Sequence, residues 1–472
     1  MNDYGLIELQ NRLSSDQLTS LDLVKWSIQR INQYDQNGPK INAIAEMNPD
    51  VYQIASMLDR ERKTKGPRSL LHGIPIVIKD NILTQDKMHT TAGSIALKDY
   101  YGIDDAFVVK KLREAGAIIL GKANLSEFAY FMSFDDMPSG YGGLSGQVKS
   151  PYSHKIDPLG SSTGSAVSVA CDYVPASIGT ETNGSLTAPA LMNAIQTIKP
   201  TMGMVSRTGI IPISHHQDIA GPMAKKVEDL AAILDVIYGY DSEDLATYAI
   251  KDQSFDFNKA LHTEIKNKRI GFVKFTNIKY TNEQEKIEAE AKKAFINEGY
   301  EVVDLEVKAE QIKNFETLIY DFKVDLNHFF NRYMSGYHIH SLKDLIQFNQ
   351  QDPKVRMKYG QSIFEAAENT SGTLREKHYH QVYQENLDKA NLMTRLLKKH
   401  DLISVASVIR TGFAPIAGNP VVAVVAKELV DDQPQSMYFI GEHFSDPQLL
   451  RVAYVYEQAT QKRVAPDLDH IR

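Results

Sequence analysis

A short apolar run that stops on a lysine constrains this chain most. Ile74-Pro75-Ile76-Val77-Ile78 has the length of a strand and ends abruptly at Lys79-Asp80-Asn81. An uninterrupted apolar run bounded by polar residues reads as a buried strand. Further runs of this kind are Ala117-Ile118-Ile119-Leu120, Arg269-Ile270-Gly271-Phe272-Val273, Pro420 to Val425 and Tyr438 to Gly441. Helical patterns lie among them. Residues 16–35 carry Leu18, Leu21, Leu23, Val24, Ile28 and Ile31 near a helical period, with Thr19-Ser20 placed to cap the start. Further helices are expected around 105–115, at 164–173, at 223–239 and at 446–460, and 174–190 reads as strand, glycine turn and a helix opening near Pro189. Strands and helices at these spacings predict an α/β fold. From 308 to 400 the pattern changes to long helices rich in Tyr, Phe and His, read as a helical insertion within a single domain spanning 1–472.

The formal charge of −7 offers no electrostatic reason for a nucleic-acid partner. No stretch reaches the ~18 apolar residues needed to cross a bilayer, and the N-terminus lacks the basic and apolar regions of a secretory leader. The single cysteine, Cys171, lies in a run of small apolar residues and reads as a packing residue. Together these features predict a soluble, cytoplasmic protein. Gly116 to Ala123 nearly spells a phosphate-binding loop, but Ala123 stands where a Ser or Thr must bind magnesium. The close pairs His215-His216, His338 with His340, and His378 with His380 lack the i, i+4 helical spacing of the HExxH zinc motif, so loop or solvent-exposed histidines are expected rather than a metal site.

Three segments carry chemistry. Lys79 ends a buried run, where burial without a counter-charge can lower its pKa by ~3–5 units and make it a base. Taken alone, this segment favours a snorkelling surface lysine beside Asp80. Gly160-Ser161-Ser162-Thr163-Gly164-Ser165 feeds into a small-residue helix; alone, it is a capping loop. Gly179-Thr180-Glu181-Thr182-Asn183-Gly184-Ser185 is a glycine turn whose backbone N–H groups can converge on an anion, as an oxyanion hole requires. Alone, it is a structural turn.

In this order the three segments resemble the amidase signature family. Thr90 to Ser94, Gly121 to Asn124, Ile198 to Thr201, Asp218 to Ala224, the opening helix and Leu449 to Ala453 also fit, so the resemblance spans nearly the whole chain and is weakest between 240 and 410. It implies a mixed central sheet flanked by helices (α/β/α), with the 308–400 insertion over the substrate pocket. It also implies Ser185 as nucleophile, Ser161 as bridging serine after a cis Gly160–Ser161 bond, and Lys79 as base. Backbone N–H groups of Thr182, Asn183, Gly184 and Ser185 would form the oxyanion hole. The reaction implied is hydrolysis of a small-molecule amide through an acyl-enzyme, without cofactor or metal, by a monomer or homodimer. Alternatives are the glutaminase subunit of a tRNA-dependent amidotransferase and an amidase-fold binding protein with weakened catalysis. Leu159 and Thr163 stand where the family has glycines, as does Asn183, whose side chain tolerates positive φ. Glu181 replaces an Asp, and Leu186-Thr187 replaces an Ile-Arg pair beside the nucleophile. The aromatics Phe315, Tyr320, Phe322, Phe329, Phe330 and Tyr333 of the insertion are read as either an acyl-pocket lining or a helical core stripe.

Overall fold

The computed structural model describes residues 3–430 and 433–471. In chain order its strands are β1 (Ile44–Met47), β2 (Pro75–Lys79), β3 (Ile118–Ala123), β4 (Tyr141–Gly142), β5 (Gly146–Gln147), β6 (Ala176–Glu181), β7 (Gln196–Lys199), β8 (Ile219–Ala224), β9 (Arg269–Phe275), β10 (Glu301–Val307), β11 (Ser404–Ser407), β12 (Val421–Val430) and β13 (Gln433–Ile440). β4 and β5 make a small hairpin within the otherwise irregular 133–160 loop, and the rest form one sheet in the order β1-β3-β2-β6-β8-β7-β12-β13-β11-β9-β10. The sheet is mixed. β2 runs parallel to β3 and β6, and β9 runs parallel to β10 and β11. The remaining neighbours are antiparallel.

The run that ends at Lys79 is an interior strand with every residue buried. Successive side chains of a strand point to opposite faces. Accordingly Ile76 and Ile78 join one apolar core while Val77 joins the core on the other face. A continuous apolar run is what a strand covered by helices on both faces requires. The Thr163–Ala170 helix lies against this region of the sheet, and its small side chains permit close approach: a Cβ on Gly164 would collide with the Asn124 backbone. No helix among the described residues is long and apolar enough to cross a membrane.

Several element boundaries differ from the sequence reading. The helix expected within 16–35 is Ser20–Arg30, where Thr19 and Asp22 form a reciprocal capping box; it continues into a wider π-helical turn, Ile31–Gln36, and is preceded by a helix the sequence reading lacked, Leu6–Ser14. The helix expected at 223–239 begins at Val227, because Met223 and Ala224 belong to β8, paired with Ser177 and Ala176 of β6. Six helices occupy most of 308–400, from Asn314–Tyr333 to Leu392–Lys399. Phe322, Phe329, Phe330 and Tyr333 are buried in the core, so the core stripe is the arrangement found for these four. Phe322 meets Phe131, and Phe364 meets Phe128 edge-on. The 308–400 helices therefore brace the turn Phe128-Ala129-Tyr130, three consecutive residues held at positive φ.

Candidate active site

Register brings the three segments together. β2 and β6 are parallel neighbours, with Ile78 opposite Ile178, so their C-terminal ends leave the sheet on the same edge. In open α/β sheets that edge is where ligands are handled. Lys79 thus arrives beside Thr180, and the chain after β6 turns at once through Thr182 to Ser185. Lys79 Nζ is fully buried, 2.8 Å from Ser161 Oγ, 2.9 Å from Thr180 Oγ1 and 3.2 Å from the Thr180 carbonyl oxygen. Burial pushes its pKa down from 10.5 to about 7, against the pull of Asp218 and then Glu181. Neither carboxylate is within ion-pair distance of Lys79 among the described residues, so the desolvated amine is left without a direct counter-ion.

The other hydroxyls of the glycine–serine loop are already engaged with backbone. Ser162 Oγ donates to the Thr180 carbonyl and accepts the Thr180 N–H, Ser165 Oγ donates to Ile178, and Ser168 Oγ donates to Gly164. Ser161 alone faces the lysine, at the cis Gly160–Ser161 bond. Ser185 is held next to this pair, because its carbonyl accepts the Ser162 N–H at 3.2 Å. It is half-buried, whereas Lys79 and Ser161 are sealed from solvent, so Ser185 is the member of the three that a ligand can reach. Its hydroxyl makes no hydrogen bond to Ser161 among the described residues; such contacts often close only when substrate binds.

The turn itself is anchored from below. Glu181 Oε2 accepts the N–H groups of Leu186 and Thr187 at 2.8 and 3.0 Å and the Thr187 hydroxyl at 3.2 Å, capping the Thr187–Met192 helix. Asp218 accepts the Thr182 hydroxyl at 2.5 Å and the N–H groups of Ile213 and Ser214, and burial raises its pKa to about 6. Gln217 donates to the Thr182 carbonyl. Among the described residues, the N–H groups of Thr182, Asn183, Gly184 and Ser185 meet no protein acceptor, which leaves them able to receive an anion.

The departures from the family pattern resolve into local pairs. Thr163 Oγ1 donates to the Leu159 carbonyl at 2.8 Å, holding Leu159 at φ +52°, a conformation that favours glycine. Glu181 and Thr187 hold each other as described. Asn183 does not occupy a left-handed position; Gly184 does, with φ +90°, so the turn needs its glycine at 184 and tolerates another residue at 183. Sequence reasoning gave no role to Asn81, whose amide donates to Thr180 Oγ1 at 3.0 Å. Asn81 lies in the turn after β2, where the Ile82 N–H donates to the Lys79 carbonyl, so its place just after the lysine was the available signal. Arg410, whose guanidinium lies over Gly184, had none.

Potential metal ligands converge once among the described residues, at His215, His216 and Asp321, whose ligand atoms lie within 4.8 Å of one another. Internal bonds account for this cluster. Asp321 accepts the hydroxyls of Ser214 and Tyr379, His215 faces Asp325 at 2.8 Å, and His216 packs on Tyr383. The histidines, expected in a loop or in solvent, tie the loop before β8 to the 308–400 helices, and they are half-buried.

Comparison with known proteins shows the family and the fold. The family model described as Amidase matches residues 22–450. A probable amidase of Arabidopsis thaliana is 35% identical over 472 residues, covering 97% of this chain and 90% of that one. The native peptide amidase of Stenotrophomonas maltophilia superposes with a TM-score of 0.92 at 35% identity, covering 99% of each chain. A glutamyl-tRNA(Gln) amidotransferase component from Bacillus pumilus is 39% identical over 272 residues, 58% of this chain and 54% of that one. The chain belongs to the amidase family of amide-hydrolysing enzymes.

Proposed function

We propose that this chain cleaves a carbon–nitrogen amide bond through an acyl-enzyme on Ser185, with Ser161 as proton relay and Lys79 as general base. One observation carries the reading: a fully buried lysine, with pKa near 7, in contact with one serine of a loop whose other serines are engaged elsewhere. A neutral amine has two N–H groups and one lone pair. The Thr180 carbonyl can only accept and takes one N–H; of the two hydroxyls at Nζ, Thr180 Oγ1 and Ser161 Oγ, one can take the second N–H while the other donates to the lone pair, and the relay uses the arrangement in which Ser161 is that donor.

As Ser185 Oγ attacks the carbonyl carbon, its proton passes to Ser161 Oγ while the Ser161 proton passes to Lys79. The carbonyl π-electrons move to oxygen, and the backbone N–H groups of the Thr182–Ser185 turn receive the oxyanion. Loss of one such donor typically costs ~2.7–4 kcal/mol. The proton returns along the same path to the leaving nitrogen as the C–N bond breaks, and water then displaces the acyl group by the reverse relay. The amidase relative is matched over 97% of this chain and the amidotransferase component over 58%, which favours a free-standing amidase over a glutaminase working within a larger complex.

The test is hydrolysis of a panel of aliphatic, aryl and peptide amides by wild type and Ser185→Ala, with fluorophosphonate labelling followed by peptide mapping. Turnover lost in Ser185→Ala, with label on Ser185, supports the reading. Turnover that survives Ser185→Ala, or label that maps elsewhere, sinks it.

A further inference from the structure

The loop after β11 lies over the nucleophile turn. A Cβ placed on Gly184 would stand 2.8 Å from Arg410 Cζ and closer still to Nη1, so the guanidinium lies against the backbone between Asn183 and Ser185. Two residues on, a Cβ on Gly412 would stand 3.1 Å from Asn183 Nδ2, so the same loop flanks the turn at both residues. Arg410 is exposed. Arg207, Arg269, Arg332 and Arg463 all pair with carboxylates. Arg410 meets neither carboxylate nor carbonyl among the described residues. An arginine is a rigid fork of donors matched to carboxylates. Here it stands within about 8 Å of the Ser185 Cα, given the ~3.8 Å spacing of consecutive Cα atoms.

We propose that Arg410 is a specificity residue that binds a carboxylate on the acyl portion of the substrate, so that the preferred substrates are half-amides of short dicarboxylic acids. The inference rests on the amidase reading above and names the substrate class for that site. The acyl portion is favoured because it stays bonded to Ser185 after the amine departs, and Arg410 rides on the turn that carries Ser185. Thr187 stands where the resemblance expects an arginine beside the nucleophile; Arg410 supplies a cation to that turn from a distant strand end.

The experiment compares kcat/KM for succinamate and glutaramate with neutral 4-oxopentanamide and cationic 4-aminobutanamide. It uses wild type, Arg410→Met, Arg410→Lys, Arg410→Glu and the exposed control Arg60→Met. A charge-assisted fork to a carboxylate predicts that wild type prefers the anionic amides. Arg410→Met lowers the anionic-to-neutral ratio about 10- to 100-fold, mainly through KM. Arg410→Lys retains part of the ratio, Arg410→Glu shifts preference to the cation, and Arg60→Met keeps the wild-type ratio. Equal losses on all amides in every Arg410 variant would mean that Arg410 only supports the turn, and would overturn the proposal. So would a wild type that turns over neutral amides as well as anionic ones, which leaves the amidase reading standing. A wild type that hydrolyses no amide and takes no fluorophosphonate at Ser185 removes that reading and this one with it.

Discussion

Glu181 Oε2 accepts both the N–H and the hydroxyl of Thr187, at 3.0 and 3.2 Å, from one end of the Ser185 turn to the other. The carboxylate closes the turn into a loop, since Ser185 lies between the two partners, and it places negative charge at a helix start, where the backbone favours it. Glu181→Ala is therefore expected to lose about 1–2 kcal/mol in urea unfolding, the range for a lost helix cap. It also frees the turn, so kcat should fall at least tenfold with little change in KM. Thr187→Val removes only the hydroxyl and should cost less than about 1 kcal/mol. If Glu181→Ala kept wild-type kcat, the carboxylate would not be what holds the turn.

The pH dependence follows from Lys79. Its pKa in the folded chain is about 7, and only the unprotonated amine can take the Ser161 proton. kcat/KM on a neutral amide should therefore climb about tenfold per pH unit below 7 and level off above it. Stability carries the same sign. Between pH 7 and the ordinary 10.5 the unfolded chain binds a proton that the folded chain has released, so stability increases with pH across that window. Lys79→Met removes this term. The difference in urea midpoint between wild type and Lys79→Met should thus change between pH 7 and pH 9 in favour of wild type, a check that needs no activity. A difference independent of pH would mean that Lys79 is charged in the folded protein.

Lys79→Ala provides a chemical test as well. Alkoxides leave without protonation and amines do not, so the variant should retain a larger share of ester cleavage than of amide cleavage. Equal losses on matched ester and amide substrates would count against a lysine that returns the proton to the leaving group.

Strand β2, the strand after residue 117 and the closing helix were legible because continuous apolar runs and helical periods report burial directly. Lys79, Ser161 and Ser185 came from ordered motifs, which carry local geometry. What stayed hidden was non-local. Met223-Ala224 reads as the start of an apolar helix until β6 lies beside it, and the Thr163–Leu159 and Glu181–Thr187 bonds join pairs of departures that look unrelated along the chain. Arg410 lies more than 200 positions from the turn it covers, and no periodicity connects the two. The alternative roles of Phe322 and Phe330 were likewise undecidable from a helical stripe, since core and pocket linings share one period.

Gly184 and Asn183 separate cleanly. Gly184 has φ +90° with Arg410 across the face where a Cβ would go, so Gly184→Ala meets both backbone strain and a side chain. It should cost upwards of about 1–2 kcal/mol and lower kcat/KM at least 100-fold. Asn183 is outside the left-handed region, and Asn183→Gly should remain within about 1 kcal/mol of wild type. Thermal melts and kinetics on one amide suffice. A tolerated Gly184→Ala would show that the turn can rearrange without losing its N–H groups.

The adjacent serines 161 and 162 give the sharpest contrast, because both are fully buried and differ only in what they touch. Ser162 Oγ satisfies the Thr180 N–H and reaches its carbonyl, so Ser162→Ala leaves a buried backbone donor unmatched, at about 1–3 kcal/mol. Its main effect should appear in the unfolding curve, with kcat reduced less than tenfold. Ser161 Oγ touches Lys79, which keeps its two contacts to Thr180 when the hydroxyl is gone, so Ser161→Ala should unfold within about 1 kcal/mol of wild type. Its kcat should fall by about 10²–10⁴, the range for a lost proton-transfer group. The two variants thus trade places between the stability assay and the rate assay. If instead Ser162→Ala were inactive and Ser161→Ala active, the proton path would run through the wrong serine, and the roles drawn from the Lys79 contact would have to be reassigned.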